Sequence, residues 1–180
     1  MTVALSPTPV LETERLVLRA PQGGDWPFWA EFVTTERARF IGGPQDRAQA
    51  FRAFGHVIGM WAMRGFGSFV FTEKGSDRPL GMAGAWYPEG WPERELGWNL
   101  WSPAAEGRGF AAEAARAARD HAFGALGWDT AVSYIDPAND RSIALARRLG
   151  AVEDPNAAHP GDKPCLVFRH PAPAPETRHD

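Results

Sequence analysis

The hydrophobic positions change their period along the chain, and those changes mark out the elements. Thr13-Glu14-Arg15-Leu16-Val17-Leu18-Arg19 alternates polar and apolar, which predicts a half-buried first strand. Trp26, Trp29, Phe32 and Val33 then recur at helical spacing. Asp25 stands where a cap belongs and Pro27 falls in the first turn, so a helix is predicted to about Arg37. Phe40-Ile41-Gly42-Gly43-Pro44 breaks the pattern. Asp46 is placed to cap a second helix running to about Met63, with Phe51, Phe54, Val57, Ile58 and Trp61 as its expected buried stripe.

Gly65 and Gly67 end that helix, and the period shortens again. Residues 68–72, 80–87 and 95–101 read as three strands separated by turn-rich segments, which predicts an antiparallel meander. An alanine-rich helix opens at Gly107-Arg108-Gly109 and runs to about Leu126, followed by a fifth strand over 129–135. A strand, a helix and a strand in that order form a crossover, so the fourth and fifth strands should lie parallel and adjacent. Asp136-Pro137-Ala138-Asn139 marks a turn before a short amphipathic helix over 141–149, ended by Gly150. Two final strands are expected near 151–153 and 165–168. The class is α/β, with one domain over 11–170, a flexible lead-in over 1–10 and a disordered Pro-rich tail over 171–180.

Composition narrows the functions open to such a domain. The 180 residues carry a formal net charge of −3 and no Lys/Arg run, which argues against nucleic acid or an anionic membrane as partner. No apolar run approaches the roughly 20 residues of a membrane span, and the N-terminus lacks a signal-peptide pattern, so a cytoplasmic location is expected. Cys165 is the single cysteine, and His56, His121, His159, His170 and His179 are scattered. Neither pattern has metal-ligand spacing, and no metal is expected. Four of the eight Trp, at 86, 91, 98 and 101, cluster around the fourth strand. They predict core packing there, and a subset of them would serve as walls of a substrate pocket.

The junction between the fourth strand and its helix carries the candidate chemistry. Glycines turn backbone N–H groups toward a ligand without Cβ obstruction, and a helix N-terminus adds unpaired donors. Glu106, Gly107, Arg108, Gly109, Phe110 and Ala111 could therefore hold an anion, with Arg108 adding a full positive charge. Many such turns use Gly for geometry alone, so the local pattern leaves both readings open. The spacing Glu106-x-x-Gly109-x-Ala111 resembles the Gln/Arg-x-x-Gly-x-Gly/Ala loop of the GNAT superfamily of N-acetyltransferases, where it holds the diphosphate of acetyl-CoA. Glu106 departs from that pattern. Facing outward it is tolerable, whereas turned inward it would repel a diphosphate.

The element order also matches that superfamily, and three further stretches are similar to its branch of ribosomal-protein N-terminal (Rim-type) acetyltransferases. Residues 13–19 resemble Thr-x-Arg-Leu-x-Leu-Arg, Glu95-Leu96-Gly97-Trp98 resembles Glu-Ile-Gly-Tyr, and Asn139-x-x-Ser142 with Leu149-Gly150 resembles Asn-x-x-Ser and Leu-Gly. The resemblance implies a GNAT fold, with a mixed, largely antiparallel sheet splayed between the fourth and fifth strands and flanked by helices. It implies acetyl-CoA as co-substrate, an amine as acceptor, no metal, and a monomer or homodimer. Pantetheine would pair with backbone around Trp98, Asn99 and Leu100 like an extra strand, leaving the thioester carbonyl near a backbone N–H. Asn139 would bond the pantetheine or the helix start.

Acetyl transfer to an amine needs a neutral nitrogen and a protonated leaving thiol. Glu95 is the candidate base, acting directly or through water. Its alternative is a solvent-facing glutamate paired with Arg94 or Arg78. Superfamily members often protonate the thiol with a Tyr on the short helix, but Ala146 stands at the corresponding position, leaving Ser142 as the candidate. Its alternative is a first-turn serine that bonds only backbone. An α-amine is the expected acceptor, because its pKa near about 7.7 to 8.0 leaves it partly neutral, while lysine lies near about 10.4. A small amine, an inactive acyl-CoA-binding module and a phosphate-binding protein remain as other readings.

Overall fold

A computed structural model describes residues 7–172. Most of the lead-in and of the Pro-rich tail lie outside the described residues. Eight strands form one sheet in the order β1-β2-β3-β4-β5-β6-β8-β7, comprising β1 (Leu11–Glu12), β2 (Leu16–Arg19), β3 (Ser68–Glu73), β4 (Pro79–Trp86), β5 (Glu95–Leu100), β6 (Ala131–Ile135), β7 (Val152–Glu153) and β8 (Leu166–His170). Every pairing is antiparallel except β5 with β6. Four helices cover the sheet, namely α1 (Trp26–Val33), α2 (Arg47–Arg64), α3 (Phe110–Gly124) and α4 (Asp140–Arg148). The fold is the expected mixed α/β one. No helix among the described residues is long and apolar enough to cross a membrane.

The two faces of the sheet hold separate cores. Leu16, Leu18, Phe69, Phe71 and Ala83 project to one side and pack under Phe110, Ala114 and Ala118 of α3. Val70 and Met82 project to the other and meet Trp29, Val33, Phe54 and Val57 of α1 and α2. This is the alternation of a strand read out on both faces.

Several boundaries differ from the sequence expectation. The first strand is two: Leu16 bonds back to Thr13, and the chain turns there, so β1 pairs with β2 and the later strands move up by one in number. The first helix ends at Val33, and a 3-10 segment, Glu36–Ile41, replaces its last turn. Asp25 makes no side-chain cap to α1. It is buried and accepts a bidentate pair from Arg19, at 2.8 and 2.7 Å, plus the Gln22 N–H. Asp46 does cap α2. Its buried stripe is Ala50, Phe54, Val57, Met60 and Trp61, while Phe51 is 63% exposed and stands edge-on to Trp26 at its rim. One residue is a 100° rotation on a helix, enough to carry Phe51 off the sheet-facing stripe. β5 stops at Leu100, short of Trp101, and α3 ends at Gly124. The last helix and strand shift by one or two residues.

Candidate active site

β5 pairs with β4 over six register positions, from Trp86 opposite Glu95 to Gly81 opposite Leu100. With β6 it shares a single register pair, Glu95 with Val132, closed by Val132 N–H to Arg94 O at 2.9 Å. Beyond that point the two strands part. The next backbone acceptor on the open edge, Leu96 O, is taken by the Ser133 hydroxyl at 2.5 Å. That hydroxyl has committed its proton, so the ring Nε2 of buried His170, 2.9 Å away, is the donor in the second bond. Burial depresses the His170 pKa to about 4, which agrees with a neutral ring. Four residues further along, Leu100 O is taken by Arg37 at 3.1 Å, and Arg37 also bonds Trp101 O. Successive residues of a strand point their amide groups to opposite edges. The residue between these two stops, Trp98, therefore directs its N–H and C=O into the opening.

The Trp98 indole fills the space between β5, α3 and α4, against Ala111, Ala115, Leu145 and Leu149. Its Nε1 donates to the Ser142 hydroxyl at 3.3 Å. Asn139 caps α4 by accepting the Ser142 N–H at 3.2 Å, so of the two binding partners expected for Asn139 the helix start is met in the free protein. Among the described residues the Ser142 side chain bonds no backbone group. As an acceptor from Trp98, it keeps its own proton available at the opening.

A cleft of about 790 Å³ runs from here, lined by Trp98, Asn99, Leu100, Glu106, Gly107, Gly109, Phe110, Ala111, Asn139 and Ser142, together with Phe32, Arg37, Arg141 and others. The α3 end of the cleft presents unpaired backbone donors. Gly107 and Gly109 have φ of +76° and +80°, a conformation that only glycine adopts cheaply. Gly109 is the N-cap of α3 and has no side chain to cap with, so the first amides of the helix face the cleft without an intrahelical partner. The loop is tied from behind. Glu113 accepts from Thr13 Oγ1 at 2.6 Å, from Arg15 N–H at 2.9 Å and from Arg15 Nε at 2.7 Å, and Arg15 also bonds Arg108 O. This network gives a physical reason for the Thr13-x-Arg15 pattern.

Two charged residues stand otherwise than the local reading anticipated. Arg108 is not among the cleft-lining residues; it pairs with Glu73 at 3.0 Å and lies over the Phe110 ring. Glu106 is neutralised by Arg37 and Arg141, each at 2.9 Å, and those hydrogen bonds hold its pKa below the usual carboxylate value. Arg37 and Arg141, with Arg39 and Arg148 of the same lining, supply the positive charge of the cleft. No sequence signal pointed to Arg37, which sits in an irregular segment, while Arg141 lay inside the Asn139-x-x-Ser142 pattern.

Glu95, at the other end of β5, is half-buried and faces the α1/α2 side. Its Oε2 accepts from Trp91 Nε1 at 2.7 Å, and no ion pair reaches it among the described residues. Arg94 pairs with Asp129 and Arg78 lies over Phe28, so the solvent-facing alternative is not what the structure contains. Burial raises the Glu95 pKa to about 7, against a small opposing effect of the Trp91 bond. A carboxyl in this state exchanges a proton near neutral pH, the property a general base needs.

Residues 15–152 match the acetyltransferase (GNAT) domain family. The chain belongs to that family. An acetyltransferase from Agrobacterium tumefaciens is 38% identical, with 93% of this chain covering 97% of that one at a TM-score of 0.86. A Bordetella pertussis protein assigned to the GnaT acetyltransferases is 27% identical over 91% and 99% of the two chains, at a TM-score of 0.75. The ribosomal-protein-S5-alanine acetyltransferase from Vibrio fischeri is 14% identical over 92% and 97%, at 0.68, a likeness of fold alone. The family uses acetyl-CoA, and the uncapped helix start, the positive-φ glycines and the arginines of the cleft have the chemistry to hold a diphosphate. Among the described residues no group of three or more His, Cys, Asp or Glu side chains could hold a metal.

Proposed function

We propose that this GNAT protein acetylates a primary amine by direct attack in a ternary complex, with Glu95 as base and Ser142 as proton donor. The observation that carries this reading is the parting of β5 from β6, with Glu95 on one face of the sheet and Ser142 on the other. Bound acetyl-CoA would supply the acetyl group and the sulfur leaving group. The Glu106–Ala111 loop, Arg37 and Arg141 would hold its diphosphate, and Trp98, Asn99 and Leu100 its pantetheine. Glu95 takes the first of the two protons that an ammonium nitrogen loses on becoming an amide, and the second leaves after the N–C bond forms. Ser142 delivers a proton where the C–S bond breaks and regains one from solvent, so each turnover releases one proton net.

For the acceptor we favour the N-terminal α-amine of a protein or peptide. The motif likeness to the Rim-type branch supports it, and so does chemistry. A single base with a pKa of about 7 suits an amine near about 8 far better than one near about 10.4. The test compares kcat/KM for short peptides with a free N-terminus, the same peptides blocked there but carrying lysine, and small amines. Free peptides should lead. Equal rates on blocked peptides, or a preference for small amines, would overturn the α-amine assignment and leave acetyl transfer intact.

A further inference from the structure

The face of the sheet that carries Glu95 has a bare patch beside it. Gly97, two residues along β5, is opposite Gly84 of β4, so neither strand places a side chain there. A Cβ built at Gly97 would meet nothing within 4 Å except Glu95 Oε1 at 3.8 Å, whereas one built at Gly84 would run into the backbone of Ser68 and Gly67, so the open part of the floor lies at Gly97. The patch is bounded along the strands by the next residues on the same face, Trp86 with Glu95 on one side and Met82 with Asn99 on the other. Its third wall comes from across the opening. Val132 pairs with Glu95 and shares its face, so Tyr134, two residues on, stands on that face level with Gly97. The Trp91 indole that holds Glu95 packs edge-on to the Tyr134 ring, with centroids 6.3 Å apart.

The Tyr134 hydroxyl is buried and unpartnered among the described residues; the Glu93 backbone lies near it without meeting hydrogen-bond geometry. A buried hydroxyl in that state is unfavourable in the free protein and gains by meeting a ligand atom. The other charged groups on the hairpin are engaged elsewhere: Glu93 is bound by Arg169 at 2.7 and 2.9 Å, and Arg94 pairs with Asp129. Glu89 pairs with Arg64 at 3.2 Å, and the His56 ring packs against Trp86, so among the described hairpin residues each charged side chain other than Glu95 already has an ionic partner.

We infer that the two-glycine floor is the acceptor subsite, and that Tyr134 is a substrate-contacting residue whose hydroxyl accepts an N–H of the amine while Glu95 takes the proton. The walls formed by Trp86, Trp91 and Tyr134 favour a primary amine that carries an apolar side group and no second charge beside it. Burial and the charges of Glu93 and Glu95 push the Tyr134 pKa up to about 12, so the hydroxyl keeps its proton at working pH and contacts the amine as a neutral group. This inference rests on the acetyltransferase reading.

Tyr134→Phe removes the hydroxyl and keeps the ring, and Gly97→Val fills the floor. Calorimetry on the protein saturated with CoA, titrated with benzylamine and with a peptide bearing an apolar first residue, tests amine binding without turnover. Tyr134→Phe should weaken amine binding about tenfold and leave CoA affinity within twofold, with thermal stability unchanged or raised because an unpartnered hydroxyl is gone. Gly97→Val should abolish amine binding and spare CoA. In the acetylation assay Tyr134→Phe should raise the KM for the amine more than it lowers kcat. Unchanged amine affinity and KM in folded Tyr134→Phe would overturn the inference. CoA and amine binding as expected, with no acetyl transfer by the wild type, would count against the enzymatic reading and leave the subsite standing.

Discussion

β5 and the loop that leaves it carry two glutamates with opposite surroundings. Glu95 has no cationic partner among the described residues, one indole N–H and a pKa raised by burial to about 7. Glu106 lies at the exposed end, held by two arginines that pull its pKa down. Identical side chains have a raised pKa in one place and a lowered one in the other, and the difference lies in burial and neighbours. In the proposed mechanism one end of the strand serves proton transfer and the other the binding of an anion.

The largest expected effect breaks the first end. Glu95→Gln should lower kcat by roughly 10²-fold at neutral pH, read in a steady-state assay, with acetyl-CoA affinity unchanged. Its effect on stability has the other sign. Because the folded pKa lies above the reference carboxyl value, the native state binds the extra proton between about pH 4.5 and 7, and ionised Glu95 destabilises the fold above that window. Thermal melts should find the Gln variant more stable than wild type at pH 8, and the gap should narrow as pH falls toward 5. At the anion end, Gly109→Asp places a negative charge at the helix start, which should weaken acetyl-CoA binding roughly 30-fold, about 2 kcal/mol, while its φ of +80° costs folding stability instead. Unchanged affinity by calorimetry in a folded variant would remove the loop from the binding site.

These contrasts were only half legible in the sequence. The meander, the crossover and the capped helices announced themselves, because period, glycine and cap residues act locally and Asp46 and Asn139 need only their own helices. Glu95 and Ser142 were named by pattern, but their alternatives could not be settled, since Trp91 and Trp98 reach them only after folding. The fate of Glu106 depended on Arg37, 69 residues away along the chain and in a segment with no periodic pattern. Asp25 was misread as a cap because its partner, Arg19, belongs to another element. Side chains whose meaning comes from a distant partner are where local reading stops.

Two smaller effects sharpen the comparison. Ser142→Ala should lower kcat about tenfold with little change in acetyl-CoA affinity, whereas Asn139→Ala, which removes the α4 cap at a cost of about 1 kcal/mol, should act mainly on binding. Rapid-mixing single turnovers and binding isotherms separate the two. Glu106→Gln should tighten acetyl-CoA binding only a few-fold, because it frees Arg37 and Arg141 at an exposed site. The gain should shrink as salt is raised, and weaker binding at low salt would mean that Glu106 positions the loop instead of offsetting charge.

The central claim, that the carboxyl of Glu95 accepts the acceptor's proton, is tested most directly by the pH profile of amine-dependent CoA thiol release. Wild-type kcat should rise through an apparent pKa near 7 and then level. In Glu95→Gln that inflection should vanish, and the rate should climb only as the free amine deprotonates by itself. The same inflection persisting in the variant, or thiol release that does not depend on the amine, would contradict the account.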